Sequence, residues 1–344
     1  MITYFFRTFP KINTTYTNVA MCIVGIITYF WLYFKYSDVR RNSKFIFLFI
    51  FFATIATFMT NNSNIGNIVV ILTNQAIAFV LVKDKSQLKY FHWFLYLICT
   101  YMFFVYMIEH KFDNILNRSS SNFVSVILIA FLIMSSIYLI SINRKPSMLL
   151  MVIGVGMCVL AGGRGGILSI LCLCVGILFL NEVSSKSKPI KFLFFLTVGI
   201  CFFAIYYIYY DKIVYYLGIV TYDAPRFYIW NLYLTETFNS VRNILVGTPL
   251  ITHQIFVNFS YNLHNIFFNL HAKFGIFPLI LVIYGNIKCF IYYIKTKNYY
   301  YLLFLGILLL RSFTDFTSFP GVFDIPWFYL LYDCIINNKK SIEN

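Results

Sequence analysis

The length of its apolar blocks constrains this chain more than any other feature. Eleven of them can be drawn, at about 19–34, 45–60, 65–82, 88–108, 122–141, 147–161, 167–180, 191–210, 264–293, 299–311 and 322–337. A helix needs roughly 20 residues to cross a hydrocarbon layer about 30 Å thick, and most of these blocks reach or approach that length. A water-soluble domain of 344 residues could not bury a chain that is 60% hydrophobic and 21% aromatic, so the solvent is lipid. The strict alternation of a membrane barrel is missing. The expected fold is therefore all-α: one integral membrane domain over 1–344, a polytopic bundle of about eleven transmembrane helices. No early segment combines a charged start, an apolar middle and a small-residue cleavage site, so no removable signal peptide is expected.

Charge sets the topology. The net charge of +15 sits largely in short loops: Lys35, Arg40, Arg41 and Lys44; Lys83, Lys85 and Lys89; Arg144 and Lys145; Lys186, Lys188 and Lys191; Lys295 and Lys297; Lys339 and Lys340. Alternating spans put all of these loops on one side, the cytoplasmic one by the positive-inside rule. The cations are thus a topology signal and do not point to a nucleic-acid partner. Heavy use of Phe, Ile, Tyr, Asn and Lys points to AT-rich coding and a bacterial source, in which the opposite face is the periplasm. That face carries Arg164, the segment from Arg311 to Gly321, and the one large loop, 211–263.

Its arginines are unusual. Arg164 stands among glycines in "LAGGRGGILS". It reads either as a helix end that suits the macrodipole or as an anion site, where guanidinium and the free N–H groups of a helix start converge. On the second reading Gly165 and Gly166 let a phosphate approach the backbone closely. In "YDAPRFYIWNLYLTETF", Asp223 can cap a helix with Pro225 in its first turn, and Arg226, Trp230 and Tyr233 then share one face. The face reads as an interfacial helix or as part of a binding site; Glu236 reads as a solvated residue or a substrate contact. In "YNLHNIFFNLHAKFG", His264 and Asn265 open a helix, where the imidazole should stay neutral. They read as a polar cap or as a base with its neighbour, and His271 as a buried partner or a packing residue. Arg311 and Asp315, one turn apart, divide between dipole complementarity and substrate contact. His253 and His110 read as surface loop residues and His92 as interfacial.

Several chemistries find no support. The eight cysteines lie in or beside apolar runs and form no CxxC pair, so they read as packing residues. No zinc-type cluster, P-loop, GxSxG elbow or DxD pair is present, and no metal and no cofactor is expected. Arginines outnumbering acids on one face favour guanidinium groups as stabilisers of a leaving charge.

Three stretches, in order, carry a family likeness: "GGRGGILSIL", "RFYIWNLYLTETFNSVRNILVGTPL" and "HNIFFNLHAKFGIFPLIL". Together they resemble the O-antigen polymerase (Wzy) and O-antigen ligase (WaaL) superfamily of bacterial inner-membrane glycosyltransferases. They match its small-residue–Arg–Gly motif, its Arg-x-x-x-Trp helix with a Gly-containing turn, and its His-Asn motif. Two departures are visible: Gly163 precedes the first Arg where a small polar residue is usual, and "NILVGTPL" replaces a Pro-then-Gly-x-Gly turn. The resemblance implies a GT-C-like helical fold and puts the family's functional Arg, Arg and His on Arg164, Arg226 and His264. It also implies a metal-independent enzyme working on undecaprenyl-pyrophosphate-linked oligosaccharides, with membrane lipid and a chain-length regulator as further partners. The compact size and modest loop favour a polymerase. The alternatives are a ligase that moves glycan to lipid A core, a lipid-linked oligosaccharide flippase or other transporter, and a scaffold without chemistry. A transporter should show repeats or mid-membrane polar residues, whereas here the unusual polar residues gather at one face.

Overall fold

The computed structural model describes residues 14–109, 122–183, 224–259, 261–315 and 317–343. Among them there are helices and no strands. The first seven helices are α1 (Thr14–Lys35), α2 (Ser37–Thr60), α3 (Ile65–Lys83), α4 (Leu88–Glu109), α5 (Asn122–Ser141), α6 (Met148–Ala161) and α7 (Arg164–Val183). There follow α8 (Ala224–Phe238), α9 (Val241–Val246), α10 (Gln254–Asn258), α11 (Ile266–Phe274), α12 (Ile276–Lys295), α13 (Tyr299–Thr314) and α14 (Asp324–Glu343). Five are long and apolar enough to cross a membrane by length and composition, over Ile65–Lys83, Lys85–Ile108, Phe123–Ser141, Gly165–Glu182 and Ile276–Lys295. Ile23–Lys35, Ile46–Thr60, Met148–Ala161 and Tyr299–Phe313 are shorter apolar helices. The expected span at 191–210 lies outside the described residues, as do 211–223 of the long loop.

Burial follows from apolar solvent on the outside and close packing within. α5 is enclosed by its neighbours, and its run from Val124 to Met134 is buried throughout. Phe34, Phe51, Phe58, Trp93, Leu97, Ile108 and Leu149 are exposed, as side chains facing hydrocarbon would be. α3 and α14 lock together through Phe79 and Tyr332, ring centroids 5.1 Å apart. A buried bond from Asn74 to Asp324, 3.1 Å, joins the same two helices.

The loops sort by end. Lys35 and Lys83 both lie over the ring of Tyr36. His92, early in α4, meets Ser135, late in α5, at 2.6 Å. Lys145 donates to the carbonyl of Asn181 at 2.7 Å, and Tyr300 donates to the Asn181 side chain at 2.7 Å. The described basic turns therefore share one end of the bundle; that of Lys186, Lys188 and Lys191 lies outside the described residues. At the other end the amide of Asn62, in the α2–α3 turn, donates to the carbonyls of Thr248 at 2.6 Å and Ala272 at 2.8 Å, and its oxygen accepts from Leu250 N at 2.8 Å.

One expected span is two helices. The apolar run 264–293 breaks at Gly275, whose φ of 82° is a left-handed conformation. A Cβ there would meet the carbonyl oxygen of Leu245 at 2.6 Å, so the backbone of the large loop presses on the break. α12 continues as the piece long and apolar enough to span, while α11 is a separate nine-residue helix tied by Ala272 to the α2–α3 turn. The described part of the large loop, α8 to α10, folds over this end around a small core of Ile229, Tyr233, Leu250, Phe256, Leu263 and Ala272.

Candidate functional site

The site begins where α13 runs out. Arg311, in its last turn, is 2% exposed and donates from Nη2 to Asp315 Oδ2 at 3.2 Å. A guanidinium so deep persists only with a charged partner or several acceptors. Asp315 faces two ways. Its Oδ1 lies 3.8 Å from Nδ1 of His264, beyond hydrogen-bond range, and that nitrogen is buried without a hydrogen-bond partner.

Asparagines hold His264 in place. Asn265 caps α11, its Oδ1 accepting from Phe267 N at 2.9 Å and Phe268 N at 3.3 Å. Its Nδ2 reaches the carbonyl of Phe313 at 3.5 Å, which couples the α11 start to the α13 end. Asn262 accepts from His264 N at 2.8 Å, and Asn269 donates to Asn262 and to the carbonyl of Asn265. His264 is thereby held at φ 50°, against the ring of Phe259 edge-to-face.

Arg226 arrives from above. It lies in the first turn of α8, within electrostatic reach of Arg311. Two bonds seat α8 on α11. Trp230 Nε1, one turn after Arg226, donates to the carbonyl of Leu263 at 2.7 Å. Tyr233 and His271 meet at 2.6 Å, while His271 Nε2 lies 2.8 Å from the carbonyl of Ile244. A carbonyl only accepts, so Nε2 carries the proton and Nδ1 accepts from the Tyr233 hydroxyl. Burial holds this imidazole below its usual titration range, with the Ile244 bond opposing.

Arg164 opens α7 right after the turn at Gly162, whose φ is 72°. α7 and α13 run antiparallel, with Asn181 beside Tyr300 and Gly176 against Leu303. Twelve residues back from Gly176 and twelve on from Leu303, about 18 Å of helix each way, set Arg164 level with Asp315. Cys158, in the last turn of α6, is also within electrostatic reach of Arg311. Four elements thus end together: the α6–α7 turn, the α8 start, the α11 cap and the α13 end.

Several expectations change on contact with the geometry. Gly166 has a packing duty, because a Cβ there would collide with Ser125 on α5. Tyr233 and His271 are buried in mutual contact, and Trp230 gives its N–H to the carbonyl of Leu263, so all three have structural ties at this end. Glu236 pairs with His253 at 3.2 Å, about 15 Å along α8 from Arg226, and so stands apart from the cluster. Asp223, the expected cap of α8, lies outside the described residues. Sequence reasoning missed Asn62, Asn262 and Asn269; the run of Asn262, Asn265 and Asn269 about the start of a helix was the available signal. Among the described residues, no group of three His, Cys, Asp or Glu side chains gathers as a metal ion would need.

No protein-family model, curated protein or solved structure matches this chain.

Proposed function

We propose that the chain is a multi-pass inner-membrane O-antigen polymerase, the activity implied by the three motifs that resemble the Wzy/WaaL superfamily. On this reading the basic end faces the cytoplasm, about eleven helices span, and the 211–263 loop and the arginine cluster face the periplasm. One observation carries it: Arg226, Arg311, Asp315 and His264 meet beside the start of α7 at the end away from the basic turns.

The chemistry follows from those groups. A hydroxyl of a lipid-linked repeat unit attacks the anomeric carbon of the growing chain. The new C–O bond forms as the bond to undecaprenyl pyrophosphate breaks, and the electron pair leaves with the pyrophosphate. Arg164 and Arg226, with the α7 helix start behind them, hold that developing charge. His264 takes the hydroxyl proton and Asp315 stabilises the resulting imidazolium, closing the 3.8 Å gap as substrate loads. Displacement in line inverts the anomeric centre. Asn265 and Arg311 act through neighbours, Asn265 holding the α11 start against α13 and Arg311 holding Asp315.

Deleting the gene in its host tests the reading. A polymerase leaves lipopolysaccharide capped with a single repeat unit, and re-expression restores the ladder. Loss of all O-antigen with accumulation of lipid-linked polymer instead identifies a ligase. Purified protein should extend lipid-linked repeat units equally well with and without EDTA.

A further inference from the structure

α2 and α12 touch near the site end, where the rings of Phe52 and Phe277 stack 4.1 Å apart. Toward the basic end a cleft opens between them, backed by α3 and α14. Ile46 and Phe49 of α2, Gln75 of α3, Gly285 and Lys288 of α12 and Leu331 of α14 line it. Its wall is overwhelmingly apolar, and Tyr284 both lines it and is 54% exposed, so it opens sideways toward the surrounding hydrocarbon. Its apolar wall would not hold water.

The cation decides the occupant. Lys288 lies twelve residues into α12, about 18 Å from the arginine-rich end, and seven residues from Lys295 at the basic end. A lysine there lays its stem along the apolar wall and carries its ammonium toward the basic-end interface. Among the described residues Lys288 has no acidic partner within ion-pair distance. A polyprenyl carrier with its pyrophosphate on the arginines would leave Lys288 unused, because the two charged positions lie at opposite ends. An anionic phospholipid from the basic-end leaflet satisfies both features: a hydrocarbon chain for the cleft and a phosphate for the ammonium.

We infer that the cleft between α2 and α12 binds one anionic phospholipid of the leaflet at the basic end, with one hydrocarbon chain in the cleft and its phosphate on Lys288. This site is independent of the activity proposed above. The test is native mass spectrometry of the full chain in neutral detergent, titrated with palmitoyl-oleoyl phosphatidylglycerol or the matching phosphatidylcholine. The wild-type protein retains one phosphatidylglycerol in preference to phosphatidylcholine. Lys288→Gln lowers phosphatidylglycerol affinity about fivefold, to the phosphatidylcholine level. Gly285→Leu abolishes retention of both lipids, since a Cβ there meets only Leu331 at 3.4 Å and Trp327 at 3.5 Å and further bulk enters the cleft. Should Gly285→Leu not fold, as read by its melting temperature, Lys288→Gln alone carries the test. Equal retention of the two lipids by the wild type overturns the inference, and so does phosphatidylglycerol binding that Lys288→Gln leaves unchanged. Competition by a polyprenyl phosphate that depends on Lys288 also overturns it.

Discussion

Asp315→Asn probes the site most sharply, because it keeps the shape of the side chain and removes only its charge. At 3.2 Å from Arg311 Nη2, the gross attraction at an effective dielectric constant near 20 is about 5 kcal/mol. Breaking a fully buried pair costs about 3–5 kcal/mol, since the remaining charge is stranded. Arg311 then keeps its charge at 2% exposure, without its carboxylate and beside a second cation, Arg226. Asp315 is 21% exposed, so water recovers part of the loss and the expected cost falls to about 2–3 kcal/mol. Melting in detergent should drop by about 5 °C or more. On the proposed polymerase reading, polymer synthesis should fall on the order of 10²-fold, because the carboxylate facing the proposed base is gone. Arg311→Met then separates the two effects. Added to Asp315→Asn it removes the buried cation, so the double variant should recover part of the lost stability and, on the proposed reading, none of the activity. The assays are melting by tryptophan fluorescence and polymer length on gels at matched protein levels. Normal polymer from a well-expressed Asp315→Asn protein would refute the catalytic part of the argument. A double variant no more stable than Asp315→Asn would refute the electrostatic part.

On the proposed reading, Arg226→Lys and Arg164→Lys should each lose about 10²-fold in polymer synthesis, since lysine keeps the charge and loses the planar fork; near-normal ladders would remove either arginine from the chemistry. Tyr233→Phe should cost about 1–3 kcal/mol by leaving Nδ1 of His271 buried without its donor, measurable as lower melting with catalysis per folded molecule kept. His271 binds its proton more weakly folded than unfolded, so stability is complete above its ordinary value of 6.5 and is lost as pH falls through that value to the lowered folded one. The slope approaches about 1.4 kcal/mol per pH unit, and His271→Gln should flatten it. Gly247→Ala should destabilise by at least about 1–3 kcal/mol, because φ is 96° and a Cβ would meet the carbonyl oxygens of His271 at 2.5 Å and Ala272 at 2.7 Å; unchanged melting would refute that packing.

The helices and their ends were legible one residue run at a time. The apolar blocks at 65–82, 88–108 and 122–141 agree with α3, α4 and α5 to within a residue or two. Hydropathy is additive along a segment, and helix length against bilayer thickness needs no tertiary knowledge. The glycine turn before Arg164 and the cap at Asn265 were equally local, because a left-handed residue or an Asx side chain satisfies backbone groups a few positions away. Sorting of the basic turns to one end also followed from sequence, since spans alternate direction.

Only the tertiary structure decided what meets what. Nothing local says that Asn62 will hold residues 186 and 210 positions away, that Arg226 will come beside Arg311, or that Asp315 will face both Arg311 and His264. Nor could it assign Gly166 to packing against Ser125, or break the 264–293 run at Gly275. The break shows the reason most plainly. Residues 264–293 are apolar enough for one unbroken helix, and Gly275 costs such a helix only about 1 kcal/mol. The chain turns there because the backbone at Leu245, thirty residues earlier, occupies the place of a side chain at Gly275. Hydropathy decides that a segment leaves water; which backbone it then lies against is set by close packing between segments far apart in sequence.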